Sequence, residues 1–373
     1  MELKDCITLV IDYRGKTPLK LGLNWVPGGK YIALSAKNIK TGHLVQLDQV
    51  YKGDEILYKT WMKDEVNKED ILITSEAPFG QVYFWNTDEK IILSQRLYCL
   101  RIDQNKAIPK YVYYYMCSKP FQNELSARAT GSTATGLRQP ELMACKIFLP
   151  SLNIQQHIVN TIGSVDDLIE NYRHQVKKLI KIGDDYLLNN SKKQPIVDYA
   201  NISLGGTPSR KKEEYWNGTI KWINSGAITG TPAVTSQTEF ITELGVKHSA
   251  TKSAKRGDSV LSIIEPSRNK VSLILDEDVY FNQSVICVSP KNKVDYGLIF
   301  FSVRYLINEI KGYATGAAQQ SLNKEIIEKS SILIPEDIDR LNNVCLKTIN
   351  IEDKIRDLIS IKQLLLDKYF TNQ

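Results

Sequence analysis

Ile154-Gln155-Gln156-His157-Ile158-Val159-Asn160-Thr161-Ile162-Gly163-Ser164-Val165 opens a run in which Ile158, Ile162, Val165, Ile169, Tyr172, Val176 and Leu179 follow one another at alternating steps of four and three. That alternation is a heptad seam, and over three heptads it marks a long helix that packs against another helix. Adding 186 to each position gives Val344, Thr348, Ile351, Ile355, Leu358, Lys362 and Leu365, so the seam recurs with Thr348 and Lys362 as polar interruptions. Each seam follows a globular stretch. The order is therefore domain, long helix, domain, long helix, with expected bounds 1–150, 151–192, 193–335 and 336–373. Repetition of this kind decides architecture before any local motif does. A lone seam leaves an apolar stripe in water, and the chain order returns the second helix to the first, so an antiparallel coiled coil is predicted.

The globular stretches repeat more weakly. Ala129-Thr130-Gly131-Ser132-Thr133-Ala134-Thr135-Gly136-Leu137, then Pro150, answers Ala314-Thr315-Gly316-Ala317-Ala318-Gln319-Gln320-Ser321-Leu322, then Pro335, at a shift of 185. Ser94-Gln95 faces Asn282-Gln283 at 188, and Glu76-Ala77-Pro78 faces Glu265-Pro266 at 189. The frame persists while its contents diverge, which suits two modules of one architecture with two ligands. An old duplication without functional asymmetry reads the same way.

Short β-branched and aromatic runs at 31–34, 71–74, 82–85, 91–93 and 97–102, separated by Gly, Asn and Asp, predict strands. Ile108-Pro109-Lys110 opens a helix over 111–118, and 146–149 is expected as a last strand before Pro150. The second half predicts strands at 220–223, 259–264, 271–275, 279–288 and 332–334 with a helix over 296–311. Residues 189–195 read as a polar linker. The fold class is α+β: two repeated α/β domains, each followed by a long helix.

At 373 residues the chain is long enough for two domains of about 140 residues, each with its own core. Hydrophobic content of 42% and charged content of 24% are ordinary for a soluble protein. No run of eighteen apolar residues occurs, and Met1-Glu2-Leu3-Lys4-Asp5 is no signal peptide, so a cytoplasmic place is expected and no membrane partner. Cys6, Cys99, Cys117, Cys145, Cys287 and Cys345 are scattered through apolar runs and read as buried reduced thiols. A net charge of +6 is compatible with a polyanion but does not require one.

Catalytic signatures are missing. Gly15-Lys16-Thr17 resembles the end of a phosphate-binding loop, but Val10 stands where that motif needs glycine. The chain has no G-x-S-x-G elbow, H-E-x-x-H, G-x-G-x-x-G after a strand, or Asn-Pro-Pro-Tyr segment. His43, His157, His174 and His248 lie far apart, so no metal site and no catalytic residue is assigned.

What remains is a set of hydrogen-bonding loops. Arg14-Gly15-Lys16-Thr17 and Gly205-Gly206-Thr207-Pro208-Ser209-Arg210-Lys211-Lys212 place cations and hydroxyls beside glycines, a composition suited to phosphate or to plain turns. Lys37, Asn38, Gln95, Arg96, Thr133, Arg138 and Gln139 in the first half, with Asn224, Arg268, Asn282, Gln283, Gln319 and Gln320 in the second, supply groups that pair with base edges. Taken singly, each also fits a solvated loop or a cap.

The order of motifs resembles the specificity subunit of type I restriction-modification systems. The resemblance covers nearly the whole chain. It rests on the Gly131-Ser132-Thr133 loop, a segment ending in Leu149-Pro150, the helix start Leu152-Asn153-Ile154-Gln155-Gln156, and the acidic pair Asp166-Asp167 before the heptad helix. The second copy keeps Ile334-Pro335 and Glu352-Asp353, while Glu336-Asp337-Ile338-Asp339 replaces the glutamine entry and Ala317 the loop serine. The resemblance implies a non-catalytic subunit whose two target recognition domains each read half of a bipartite duplex DNA sequence. It implies two modification (methyltransferase) subunits on the helices and restriction (motor-nuclease) subunits beyond them, with S-adenosylmethionine, ATP and Mg belonging to those partners and no cofactor to this chain. A protein-binding repeat scaffold and a self-contained DNA-modifying enzyme are the competing classes.

Overall fold

The structure is a computed structural model that describes residues 1–129, 136–189, 191–264, 266–267, 270–313 and 322–371. It divides into two compact units, Met1–Asp167 with Ser360–Gln373, and Leu168–Ile359. Both unit boundaries fall inside the long helices, Leu152–Leu188 of 37 residues and Ile338–Phe370 of 33. At about 1.5 Å per residue these run roughly 55 and 50 Å.

In the first unit, four antiparallel strands stand in the order Ile7–Asp12, Leu97–Ile102, Ile71–Thr74, Val82–Phe84. Alternate side chains serve opposite faces, as the period of two demands. Ile71, Ile73, Tyr98 and Leu100 enter a core shared with the helix Pro109–Cys117, while Leu72, Leu97 and Cys99 enter a second core. That second core lies under a smaller sheet, in which Tyr31–Leu34 pairs parallel with Ile92–Leu93 and antiparallel with Lys52–Gly53.

The second unit repeats the plan. Ala200–Leu204, Val285–Pro290, Ser259–Ser262 and Val271–Ile274 take the same order, with Ala233–Val234 added at the edge. Trp216–Ile223 pairs parallel with Val279–Phe281, as Tyr31–Leu34 does with Ile92–Leu93. The register pair Leu72↔Cys99 becomes Val260↔Cys287 at a constant shift of 188. A buried acid follows the same shift. The Asp70 carboxylate accepts from Asn67 N at 2.8 Å and from Arg101 Nη2 at 2.8 Å, with the Cys99 thiol at 3.5 Å. Asp258 accepts from Lys255 N at 2.8 Å and Ser289 Oγ at 2.7 Å, with the Cys287 thiol at 3.6 Å. The six cysteines are free, and burial pushes the thiol of Cys6 up to about 11 and those of Cys117 and Cys145 to about 12.

Three expectations are corrected. The predicted strand 279–288 is two strands in different sheets, because Asn282-Gln283-Ser284 turns the chain between Val279–Phe281 and Val285–Pro290. The expected linker is not free: Ser191–Pro195 is a strand antiparallel to Ser331–Pro335, its polar side chains outward while the backbone is paired. Conversely, 146–149 is not a strand: it makes the bridge Glu2↔Lys146, and Ile147 exchanges bonds with Met1, its N donating to Met1 O at 2.9 Å and its O accepting from the Met1 amine at 3.2 Å.

The helices pair antiparallel within each unit. His157 meets Tyr369 and Asp166 meets Lys362 in the first; Tyr172 meets Lys354 and Tyr186 meets Arg340 in the second. One number climbs as the other falls. On the first helix Ile158, Ile162, Val165, Ile169 and Val176 are buried, with Tyr172 and Leu179 half-buried beside buried Ile180. On the second helix Ile355 and Thr348 are buried, but Val344, Ile351, Leu358 and Leu365 are only half-buried. The deeper stripe there is Leu341, Cys345, Glu352, Leu366 and Phe370, because the helix also packs on a domain helix. Phe370 sits edge-on to Tyr111 and Tyr115, which is why the last turns belong with the first unit.

Each long helix is latched to its own domain. Gln155 is buried, accepting from Ile108 N at 2.8 Å and donating to Pro150 O at 2.8 Å. Asn342 accepts from Gly297 N and Leu298 N, both at 3.1 Å, at the start of the helix Tyr296–Ile310. These side chains satisfy helix-start amides that would otherwise be buried without partners.

Glu352 is 4% exposed, and burial raises its carboxyl to about 7 against a partial opposing pull from the Arg173 charge. A carboxyl raised from an ordinary 4.5 stabilises the fold fully below that pH, and the contribution is lost as pH rises through about 7. Glu352→Gln should therefore raise stability above pH 7 by up to about 3 kcal/mol and change little near pH 4. Urea unfolding at the two pH values measures this. An equal effect at both contradicts a buried carboxylate.

Candidate nucleic-acid interface

In the first domain, several of the cations and amides expected to bind make bonds within the fold. Arg14 donates to both Asp12 oxygens at 2.9 Å and to Leu137 O at 3.2 Å, its guanidinium 4.1 Å from the centre of the Tyr98 ring. Lys16 Nζ donates to Trp61 O at 2.9 Å and lies over Tyr13, and partial burial lowers its pKa. Asn38 is buried, its Oδ1 accepting from Ser35 N and Oγ at 3.0 Å and its Nδ2 donating to Val45 O at 3.3 Å. All three are thus tied into the fold, and Lys16 at the same time lines a cleft of this domain.

What the first domain does present is a cleft of about 560 Å³ at the ends of its smaller sheet, lined by Thr17, Lys37, Gln95 and Arg96 with the aromatic rings of Trp25 and Tyr51. Gln95 and Arg96 follow the strand Ile92–Leu93 and are exposed. Their backbone is fixed, Gln95 O accepting from Ala36 N at 3.1 Å and Arg96 O from Ser75 N at 2.9 Å. Arg96 has φ of 64° and meets Glu76 at 3.2 Å. Arg138 is exposed just before the short helix Gln139–Met143, whose first residue Gln139 is half-buried. Thr133 lies outside the described residues.

In the second domain, Gly205 N donates to Val285 O at 3.3 Å and Gly206 N to Phe281 O at 3.0 Å, so these amides are not open to phosphate. A Cβ at Gly205 would stand 2.2 Å from Phe281 O, so the glycines serve close packing. Arg210 is held by both Glu239 oxygens at 2.9 and 2.6 Å and lies 3.6 Å over the Trp216 ring. Lys212 Nζ donates to Tyr215 OH at 3.0 Å. Thr207 Oγ1 donates to Gln283 Oε1 at 2.5 Å, joining the loop after Ala200–Leu204 to the turn after Val279–Phe281. Asn282 Oδ1 accepts from Ser284 N at 3.0 Å, and Asn224 Oδ1 from Gly226 N at 2.8 Å, so both cap turns. Lys211 and Gln283 are exposed. Arg268, Gln319 and Gln320 lie outside the described residues.

Sequence reasoning missed the Trp25–Tyr51 pair and the carboxylates Glu76 and Glu239 that hold Arg96 and Arg210; no local spacing links these residues. Among the described residues, no group of three or more His, Cys, Asp or Glu is placed to hold a metal ion, and no helix is long and apolar enough to cross a membrane.

Two domains of one topology, each carrying exposed cations and amides on strand-end loops and each followed by a long helix, define a two-module recognition protein. The family described as type I restriction modification DNA specificity domain matches residues 1–181 and again 190–360, and the chain belongs to it. It is 28% identical over 256 residues to the type I restriction enzyme EcoR124I/EcoR124II specificity subunit of Escherichia coli, covering 62% of this chain and 61% of that one. It is 22% identical over 334 residues to the MjaIX specificity subunit of Methanocaldococcus jannaschii, covering 81% of this chain and 76% of that protein. The chain thus spans about three-fifths and three-quarters of the length of these relatives. The crystal structure of a type I restriction-modification S subunit from M. genitalium has a similar fold, with a TM-score of 0.50 at 15% identity over all of this chain and 96% of that one.

The geometry separates structural from presented cations. Arg14→Ala strands Asp12 and Leu137 O and should cost roughly 1 to 3 kcal/mol of stability in the first unit. Lys37→Ala should cost less than about 0.5 kcal/mol. Denaturant midpoints measure both, and equal losses would contradict the division.

Proposed function

We infer that this chain is the DNA-reading subunit of a type I restriction-modification complex and carries no catalysis of its own. Residues 1–150 and 193–335 are the target recognition domains, each reading one half of a bipartite duplex sequence. Residues 151–192 and 336–373 form the spacer that sets the gap between the half-sites. The observation that carries this reading is that the family match and the sheet topology both occur twice, each copy followed by a helix latched to it. Exposed Lys37 and Lys211 suit phosphate, while Gln95, Arg96, Arg138 and Gln283 suit base edges. The helix pair is the docking surface for two modification subunits, with restriction subunits beyond them in the cytoplasm. S-adenosylmethionine, ATP and Mg belong to those partners.

Exchanging residues 1–150 for the matching domain of a homologue, expressing the chain with its modification subunit and mapping methylated sites tests the reading. One half of the methylated sequence should change while the other half and the gap stay. A change in both halves contradicts modular reading.

A further inference from the structure

The cleft of the first domain contains parts that edge reading of intact duplex DNA does not need. A base pair inside the stack presents only its edges in the grooves, whereas an exposed aromatic plane binds a face. Trp25 and Tyr51 are stacked, with centroids 5.3 Å apart at 10°, and Trp25 leans on buried Trp61 at 5.5 Å. Trp61 is itself fixed by its bond to Leu93 O at 3.0 Å, so the stack is anchored in the core. Tyr51 caps this stack and is 61% exposed, leaving room for one more ring.

Beside this shelf stands an apolar prong. Leu19 is 79% exposed on the turn Leu19–Leu21. The turn is tied down by Gly22 N to Leu19 O at 3.0 Å, Leu23 N to Pro18 O at 2.9 Å and Lys20 Nζ to Gly15 O at 2.8 Å. A single exposed leucine needs no explanation. One held rigidly at the rim of a cleft that also offers an aromatic shelf, a free amide at Gln95 and a cation at Lys37 has the makeup of a wedge.

Among its described residues the second domain is built differently: its stacked pair is Tyr215 with exposed His248, 6.0 Å apart at 7°, not a tryptophan–tyrosine shelf. There the face of Trp216 is covered by Arg210, which Glu239 holds in place.

We propose that the first domain's cleft takes one unstacked nucleobase of the target, with Leu19 as the wedge, Tyr51 as the stacking face and Gln95 reading the base edge. This rests on the DNA-reading function above. Extrusion costs least where the base has already lost its partner. The test therefore uses the full chain with its modification subunit and cognate duplexes in which each position opposite a target base is made abasic in turn.

At one position of the first half-site binding should tighten about tenfold or more through this cleft, in addition to any gain at the bases that the modification subunits themselves extrude for methylation. Tyr51→Ala should abolish that gain and Tyr51→Phe should keep it. Leu19→Ala should weaken binding to the intact duplex several-fold while leaving the abasic-opposed duplex bound as by the parent, because the wedge then has nothing to pry apart. If Tyr51→Ala leaves every gain in the first half-site intact, or removes gains in the second half-site as well, the proposal is overturned while the DNA-reading function stands. Failure of the parent to prefer any sequence overturns that function and the proposal with it.

Discussion

A helix of 37 residues with a continuous apolar stripe cannot stand alone in water, and the rest of the molecule is arranged around covering that stripe. Antiparallel pairing covers it with a second copy of itself, and antiparallel sense is what a domain–helix–domain–helix order permits. The cost is that neither half is self-contained: Phe370 and Leu366 fill the first unit's core from the far end of the chain. The amide latches at Gln155 and Asn342 couple each domain to its own helix.

The duplication keeps the strand frame while some packed positions and the loops diverge. The buried acid and thiol recur as Asp70 with Cys99 and Asp258 with Cys287, yet Arg101 in one copy becomes Ser289 in the other. The helix acids diverge more. Asp166 has Tyr114 OH at 2.8 Å and Lys362 Nζ at 2.6 Å. Its counterpart Glu352, a shift of 186 away, has Val176 and Phe300 at the positions that the same shift relates to Lys362 and Tyr114, and burial raises its pKa. On the loops, the first domain carries a stacked tryptophan and tyrosine, while the second carries an arginine-covered tryptophan. Two like frames with unlike faces suit the two different half-sites proposed above.

The heptad seam was legible because its period is geometric, and the strands at 31–34, 71–74 and 97–102 because their apolar runs end in turn residues. The exact stripe of the second helix was not: Val344 and Ile351 keep the period, but the domain helix packed alongside draws Leu341, Cys345 and Glu352 deeper. Binding residues were harder still. Arg14, Lys16 and Asn38 have the composition of ligand contacts, but Asp12, Trp61 O and Ser35 are close enough to take them, and only folding reveals that competition. Ser191–Pro195 hid its strand because pairing there uses backbone alone.

The central claim is that the helix pair sets the gap between two separately read half-sites. Adding three heptads to each helix at facing positions, after Tyr172 and after Lys354, lengthens the pair by about 31 Å, close to one duplex turn of roughly 34 Å, so both domains stay in phase with the same groove. Mapping the methylated sequence of the lengthened chain with its modification subunit should return both half-sites unchanged and a gap longer by about nine or ten base pairs. An unchanged gap with full activity, or altered half-sites, would contradict the account.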